Sequence, residues 1–417
     1  MLKKSFFIAL FIFTSLQAQT LTLSECIEKA TTSHPDIKKF VLQIQKSEKG
    51  VKVADADYLP QITASAEYDF QKTYALPQNG VFHTIDDDGW QVGVTLKQKI
   101  WDFSKTTSNI AASKVQEDIA KLSLKDAKAL MAFNVKLQYE LMLVQKEAIE
   151  VRQKDLQAKT ELYNQANEQV KLGMKTKADA SRFLTAVYVA QNNLAIAKAD
   201  FDKAKMKLSN YIGQNIAEDV ELEDTISNNS LQVTNNLEQE VLHNNLQLQS
   251  LHKTIEKNRL SKKSAKASHY GSIDAIASYN RVGSLNDYDS SLLGVTLQIP
   301  LYSGGRTSAI VEQAALEEQS TKEALSSKEL ALKNELEALL IDLKRYEKTL
   351  QAKQAQLEAS QETKILLEAR YKEGLSTYIE VLDAIALYLD AKLGLLEAQY
   401  AKSSTINRIN YLEGKTL

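Results

Sequence analysis

The chain has 417 residues, with 51 Lys and Arg against 53 Asp and Glu, a formal net charge of −2, and only 14 Gly and 4 Pro. That balance leaves no basic footprint for nucleic acid and argues against any function built on phosphate-backbone binding. The scarcity of Gly and Pro fits long, uninterrupted helices.

Chain order begins with "MLKKSFFIALFIFTSLQAQT". Lys3 and Lys4 form a positive n-region, Phe6 to Phe13 an apolar run, and Ala18 a small residue at a cleavage site, so residues 1–18 read as a secretory signal peptide. No later stretch approaches 18 apolar residues, so the rest of the chain is expected to be soluble or to enter a membrane as β-structure. Cys26 is the single cysteine and allows no disulfide framework; it reads as a small, partly buried residue of an N-terminal helix.

Next comes "QITASAEYDFQ" (61–71), in which Ile62, Ala64, Ala66, Tyr68 and Phe70 alternate with polar residues. Period two predicts a strand with one apolar and one wet face. Trp90, Val92, Val94 and Leu96 alternate in the same way over 90–98. The polar segment between, with Pro77, Gly80 and Gly89, reads as a loop. Residues 94–172 then contain neither Gly nor Pro. Leu137, Leu141, Val144, Ala148 and Val151 repeat at steps of four and three, the spacing of a coiled-coil seam. Gly173 breaks the run, and a second long helix is expected over 175–212. The acidic, polar stretch 217–236 reads as a linker.

After the linker the pattern repeats. "GVTLKQKIWDFSKT" (93–106) aligns with "GVTLQIPLYSGGRT" (294–307), and "VKLGMKTKAD" (170–179) with "YKEGLSTYIE" (371–380), both at an offset of 201. The second copy supplies strands 272–280 and 292–300, a Gly- and Pro-free run over 306–373, a break at Gly374 and a helix over 375–413. Its seam, Leu336, Leu339, Leu343, Tyr346 and Leu350, is interrupted by Lys353 and resumes at Leu357. The domain reading is therefore a first structural repeat over 19–216 (N-terminal helices, two strands, helical hairpin 104–213), the linker, and a second repeat over 237–414 with helical hairpin 306–413. Each 68-residue helical run would extend about 100 Å at 1.5 Å per residue.

Four strands of about 9–11 residues suit an outer-membrane bilayer but cannot close a barrel, since single-chain barrels start at about eight strands. Open edges are not tolerated in lipid, so several chains must share one barrel; three would supply twelve strands. Trp90, Trp101, Tyr68, Phe70 and Tyr302 lie near strand ends, where membrane-interface aromatics sit. A soluble β-sandwich capping a coiled coil is the alternative.

Nothing reads as catalysis. There is no G-x-x-x-x-G-K-[ST] motif, and the five histidines show no metal-ligand spacing, so no cofactor or metal is expected. Gly304 and Gly305 read as a tight strand-to-helix junction after Pro300. Glu380 and Asp383, three apart on one helix, allow two readings from the residues alone: a ring of carboxylates around a shared axis, or a plain acidic helix start.

At this point a family is legible. "LTLSECIEKATTSHPDIKKF", "LQIPLYSGGRTSA" and "ARYKEGLSTYIEVLDA" together resemble the TolC-like outer membrane efflux proteins, over essentially the whole mature chain. The resemblance implies a mainly α protein with a membrane β-barrel part: a homotrimer with a twelve-stranded barrel in outer-membrane lipid and an α-helical periplasmic tunnel. It implies partners, namely a periplasmic adaptor and an inner-membrane transporter of RND, ABC or MFS type. It implies an aperture ring from Glu380 and Asp383, a tether between Tyr371 and Asp179, and adaptor contacts at the turns carrying Gly173, Thr176, Gly374 and Thr377. Two departures stand out: Phe103 and Ser104 occupy the places of Gly304 and Gly305, and Ser376 stands where some members carry Arg. The rival functions are a periplasmic adaptor, which would show one hairpin and several soluble β-domains, and a structural coiled-coil envelope protein, which would need neither amphipathic strands nor a doubled chain.

Overall fold

The computed structural model describes residues 20–75, 80, 83–217, 220–224, 226, 231, 234–283 and 287–415. The expected signal peptide and parts of the expected loop and linker lie outside them. The elements are β1 (Thr20–Leu21), α1 (Leu23–Ser33), α2 (Pro35–Ala56), β2 (Gln61–Ala75), β3 (His83–Trp101), α3 (Lys105–Lys171), α4 (Lys177–Ile212), β4 (Glu221–Leu222), α5 (Leu237–Asn244), α6 (Leu246–Ala267), β5 (Ser272–Gly283), β6 (Tyr288–Gln298), α7 (Arg306–Lys372) and α8 (Tyr378–Leu412). No described helix is long and apolar enough to cross a membrane.

The chain forms two compact units, each taking sequence from both copies. One comprises the stretch up to Ile37, Lys128–Leu237 and everything from Glu335 onward; the other comprises Lys38–Ala127 and Glu238–Asn334.

The second unit holds a four-stranded sheet in the order β2-β3-β5-β6. All neighbours are antiparallel, and β3 pairs with β5, so the two copies join through their inner strands. The register sets Ile62 opposite Leu96, Leu96 opposite Ala277 and Ala277 opposite Leu293. Because side chains alternate with period two, this row places the apolar residues of all four strands on one face. Ile62, Val92, Val94, Leu293, Val295 and Leu297 are exposed there, an apolar surface that lipid would cover. Trp90 lies over Gly283, where any Cβ would fall 2.3 Å from the indole ring; an aromatic covering a strand glycine pins the β3–β5 register.

Two strand expectations need correction. The first hairpin does not end at 71 and resume at 90: the ladder runs on from Phe70↔Asp88 to Ala75↔His83. The polar content of 71–89 was a poor guide, because an antiparallel ladder needs only backbone partners and does not require an apolar face. Gly89 sits inside β3, opposite Asp69. In the second copy β6 begins at Tyr288 and ends at Gln298, so Ile299 and Pro300 lie beyond it; proline donates nothing to a ladder.

At both strand-to-helix junctions two successive residues have positive φ: Phe103 (56°) and Ser104 (71°), Gly304 (60°) and Gly305 (80°). The backbone shape is thus kept where the glycines are missing, and left-handed geometry costs a residue with Cβ about 1–2 kcal/mol. Phe103 has compensating ring contacts with Trp101 and Tyr270, at 6.2 and 5.4 Å between centroids. Ser104→Gly is accordingly expected to stabilise the protein by about 1 kcal/mol, read as a higher denaturation midpoint in detergent, with Gly304→Ala moving it the other way.

The first unit is helical apart from the parallel pair β1–β4. Pro35 holds His34 in an extended conformation (ψ 136°) and so ends α1 before α2 begins. The Tyr139 hydroxyl donates to the Leu21 carbonyl at 2.8 Å and accepts from the Glu223 N–H at 2.7 Å, clamping both β1 and β4 to α3. Around this clamp α3 is buried nearly all round: Val135, Tyr139 and Met142 are fully buried, while the expected seam residues Leu137 and Leu141 are only half-buried. A helix surrounded by neighbours loses the narrow stripe of a two-helix seam. In the second copy's seam Leu336, Leu343 and Leu357 are buried, while Leu339, Tyr346 and Leu350 are half-buried. Its interruption is explained by Gly394 on α8, where a Cβ would press the Lys353 side chain at 3.1 Å; the lysine crosses there toward Asp390, 3.9 Å away.

Glu140 is fully buried on α3. The Asn407 amide donates to both its oxygens at 3.0 Å. Burial raises its pKa, opposed by hydrogen bonds from Asn407 and Ser403 and by Lys136. A carboxyl whose folded pKa is raised holds its proton more tightly in the folded state, so its contribution is complete below the ordinary carboxylate range and is lost as pH rises through the folded value. Glu140→Gln is therefore expected to raise the denaturation midpoint at pH 8 and to flatten its decline between pH 4 and 8.

Candidate periplasmic mouth and membrane-interface residues

The two helix-hairpin turns lie in the first unit and are built alike. Two residues past the end of α3 stands Gly173, and two past the end of α7 stands Gly374, each with φ 75°. The Gly173 N–H donates to Val170 O at 3.0 Å and the Met174 N–H to Gln169 O at 2.9 Å; Gly374 and Leu375 donate to Tyr371 and Arg370 carbonyls at 3.0 and 2.8 Å. Each turn thus satisfies the helix's last carbonyls through a left-handed residue, which glycine adopts without strain. Three residues on, Thr176 and Thr377 cap α4 and α8, and three further on stand Asp179 and Glu380.

Both acids close capping boxes. Asp179 accepts from Thr176 N at 3.0 Å and Thr176 Oγ1 at 2.8 Å. Glu380 accepts from Thr377 N at 2.6 Å and Thr377 Oγ1 at 3.0 Å. Hydrogen bonds to the charged form hold both carboxyls below their usual range, the backbone N–H of the threonine being the largest cause. This role was legible and was missed: T-x-x-[DE] before an apolar run is a helix-start signature. Asp383 lies one turn further on, exposed, three residues from Glu380 on α8.

Behind the turns, residues of α3, α4, α7 and α8 share one apolar cluster: Leu162, Ala166, Phe183, Tyr371, Val381 and Ile385 among others. Tyr371 is fully buried, 5.6 Å from Phe183 between ring centroids and 5.0 Å beneath the Lys175 ammonium. Its hydroxyl has no hydrogen-bond partner among the described residues. The tether to Asp179 that the resemblance implies is thus not made within this chain, because the Asp179 carboxylate is turned to its own cap. The two residues are still close enough for the Asp179 charge to add to burial in raising the Tyr371 pKa. Phe183, Lys175 and Arg182, which stacks on Tyr378 at 4.9 Å, join the site without having been expected. The turns also expose Leu172, Met174 and Leu375.

The remaining expected residues lie in the other unit. Pro300, Gly304 and Gly305 form the exposed junction between β6 and α7. Tyr68 and Phe70 meet edge to face at 4.9 Å, and Tyr68 is opposite Trp90 in the ladder. Trp101 and Tyr302 are exposed beside the junctions.

Comparison with known proteins agrees with this architecture. The sequence profile of the family described as "Outer membrane efflux protein" matches residues 26–214 and 237–414. Outer membrane protein TolC of Escherichia coli (strain K12) is 24% identical over 432 residues, 95% of this chain and 82% of that protein. Outer membrane efflux protein BepC of Brucella suis biovar 1 is 22% identical over 313 residues, 73% of this chain and 65% of that one. Among solved structures, CusC superposes with a TM-score of 0.83 at 16% identity, covering 94% of this chain and 91% of its own. The open state of the MtrE outer membrane channel of Neisseria gonorrhoeae superposes with a TM-score of 0.81 at 19% identity, covering 95% and 89%. With its amphipathic strands, paired hairpins and a profile match over most of its length, the chain belongs to the outer membrane efflux protein family and is an outer-membrane channel of efflux pumps.

Proposed function

We propose that this channel works as a homotrimeric duct whose inner mouth is the paired turn structure around Tyr371. The observation that carries this reading is the convergence of four helices there: two turn-and-cap units built alike present Asp179 and Glu380 over one apolar cluster, with Asp383 exposed beside them. In a trimer Glu380 and Asp383 would together set six carboxylates at the opening, a field that favours cations. Transport is passive, without catalysis by this chain, and an inner-membrane transporter supplies the energy. The turns at Gly173–Thr176 and Gly374–Thr377, with Leu172, Met174 and Leu375 turned outward, are the contact points for a periplasmic adaptor. The proposed boundaries are two structural repeats, 19–216 and 237–414, about the linker. Trp90, Trp101, Tyr68, Phe70 and Tyr302 mark the membrane interfaces, with Pro300, Gly304 and Gly305 shaping the exit from barrel to helix.

Planar-bilayer recording of the purified protein tests the duct. Stepwise, cation-preferring conductance is expected; a protein that inserts but passes no current would overturn the reading. Leu172→Asp with Leu375→Asp tests the docking surface separately. That variant should conduct normally in bilayers yet leave cells as sensitive to exported compounds as cells lacking the protein.

A further inference from the structure

Three stretches meet at the strand-to-helix junctions of the sheet-bearing unit. The Phe103 ring meets Trp101 edge to face and Tyr270 at a tilt. The Ser264 hydroxyl donates to the Lys105 carbonyl at 3.0 Å. Gly271 lies so close to Gln298 that a Cβ would be 1.9 Å from its carbonyl oxygen, which brings Tyr270 beside the end of β6. The result is an exposed apolar collar of Ile100, Trp101, Phe103, Tyr270, Ile299, Leu301 and Tyr302.

Directly below the collar the chain is cationic. Residues 257–272 carry Lys257, Arg259, Lys262, Lys263 and Lys266 and no carboxylate; residues 299–311 carry Arg306 and none; residues 100–114 carry Lys105 and Lys114 against Asp102 alone. Asp102 is buried and accepts from Thr106. Of the other acids nearby, Asp274 is buried beside Lys97 and Ser272, Glu318 is held between Lys262 and Lys322, and Asp55 and Asp57, at the end of α2 just before β2, are exposed. Arg259, Lys263 and Lys266 follow one helix face of α6 toward Tyr270 and are exposed, as are Lys105 and Arg306.

From this arrangement we infer that the base of the barrel binds anionic phospholipid headgroups of the periplasm-facing leaflet, through Lys105, Lys263, Lys266 and Arg306. The inference rests on the outer-membrane placement of the barrel. Aromatic residues settle at the headgroup level, so the collar fixes the depth. Lys266 and Lys263 then lie roughly 6 and 10 Å below Tyr270 at 1.5 Å per residue, within or just under a headgroup layer of about 5–8 Å per side. Long lysine stems run along apolar surface and place their ammonium groups in that layer. A zwitterionic headgroup offers these cations as much repulsion as attraction. A phosphodiester with net negative charge meets four of them against the two exposed carboxylates Asp55 and Asp57, and each cation near such a surface strengthens attraction to it.

The chain supplies its own reporter, since it holds two tryptophans and Trp90→Phe leaves Trp101 in the collar. This variant would be reconstituted in phosphatidylcholine vesicles with a fifth of the lipid brominated, either as phosphatidylglycerol or as phosphatidylcholine. Brominated phosphatidylglycerol should quench Trp101 as if locally enriched about threefold or more. Adding Lys105→Gln, Lys263→Gln, Lys266→Gln and Arg306→Gln should bring the two lipids level, whereas Lys154→Gln, Lys203→Gln, Lys344→Gln and Lys348→Gln should not. Equal quenching by both lipids in the parent would overturn the headgroup site while leaving the membrane placement intact. A preference that survives the first quadruple change would overturn the assignment of these residues. Quenching by neither lipid would overturn the placement of the collar itself, and the inference with it.

Discussion

Glu380→Gln combined with Asp383→Asn is expected to lower the cation-over-anion permeability ratio of the channel about threefold or more, with little change in thermal stability. The choice of glutamine matters. Glu380 accepts from Thr377 N and Oγ1, and a glutamine at the third helical position still completes a capping box. Alanine at 380 would remove charge and cap together, and a loss of conductance could then reflect a frayed α8. Asp383 makes no part of the cap, so Asp383→Asn isolates the charge. The paired measurement is reversal potential under a salt gradient beside the melting temperature of the same preparation. An unchanged reversal potential would sink the acidic mouth and return Glu380 to a purely structural role.

Two substitutions at Tyr371 are expected to diverge strongly. Tyr371→Ala empties the centre of the four-helix cluster, where the ring meets Phe183 and Lys175, and should cost about 3–5 kcal/mol. Tyr371→Phe keeps the ring and deletes a buried hydroxyl that has no partner among the described residues; leaving such a group unsatisfied costs about 1–3 kcal/mol, so the phenylalanine should be neutral or about 1 kcal/mol more stable. Resting conductance separates two ways of holding the mouth closed. If the ring acts as a wedge, alanine raises resting conductance and phenylalanine leaves it unchanged. If the hydroxyl reaches a carboxylate of another subunit, phenylalanine raises it as well, and its stability in the trimer falls rather than rises. Equal melting temperatures for the two variants would contradict the packing described for this residue.

Much of this was legible in the residues. The helical hairpins were found within a few residues at every end, because Gly- and Pro-free runs closed by glycine leave little freedom for other structure. The strand cores were found because period two matches the pleat. What escaped detection depended on long-range pairing. The hairpin extension through 71–75 and 83–89 is made of backbone hydrogen bonds that polar residues do not announce. The joining of β3 to β5, and the parallel β1–β4 pair held by Tyr139, unite residues far apart in sequence. At the two turns, Glu380 and Asp383 were weighed as a carboxylate ring or a plain helix start, and the capping boxes that Asp179 and Glu380 close were not seen. Their capping geometry was written in T-x-x-[DE] and passed over in favour of charge.

The β3–β5 seam has a consequence for assembly. A chain of half this length would carry one strand hairpin with two free edges, and six such chains would have to meet to close twelve strands. Joining two hairpins in one polypeptide makes every second seam intramolecular, at an effective concentration set by the tether rather than by the density of protein in the membrane. Only the outer edges of β2 and β6 then remain to find partners. In a trimer, three encounters complete a ring that would otherwise need six, and fewer open-edged intermediates linger in lipid, where an unpaired strand is least tolerated.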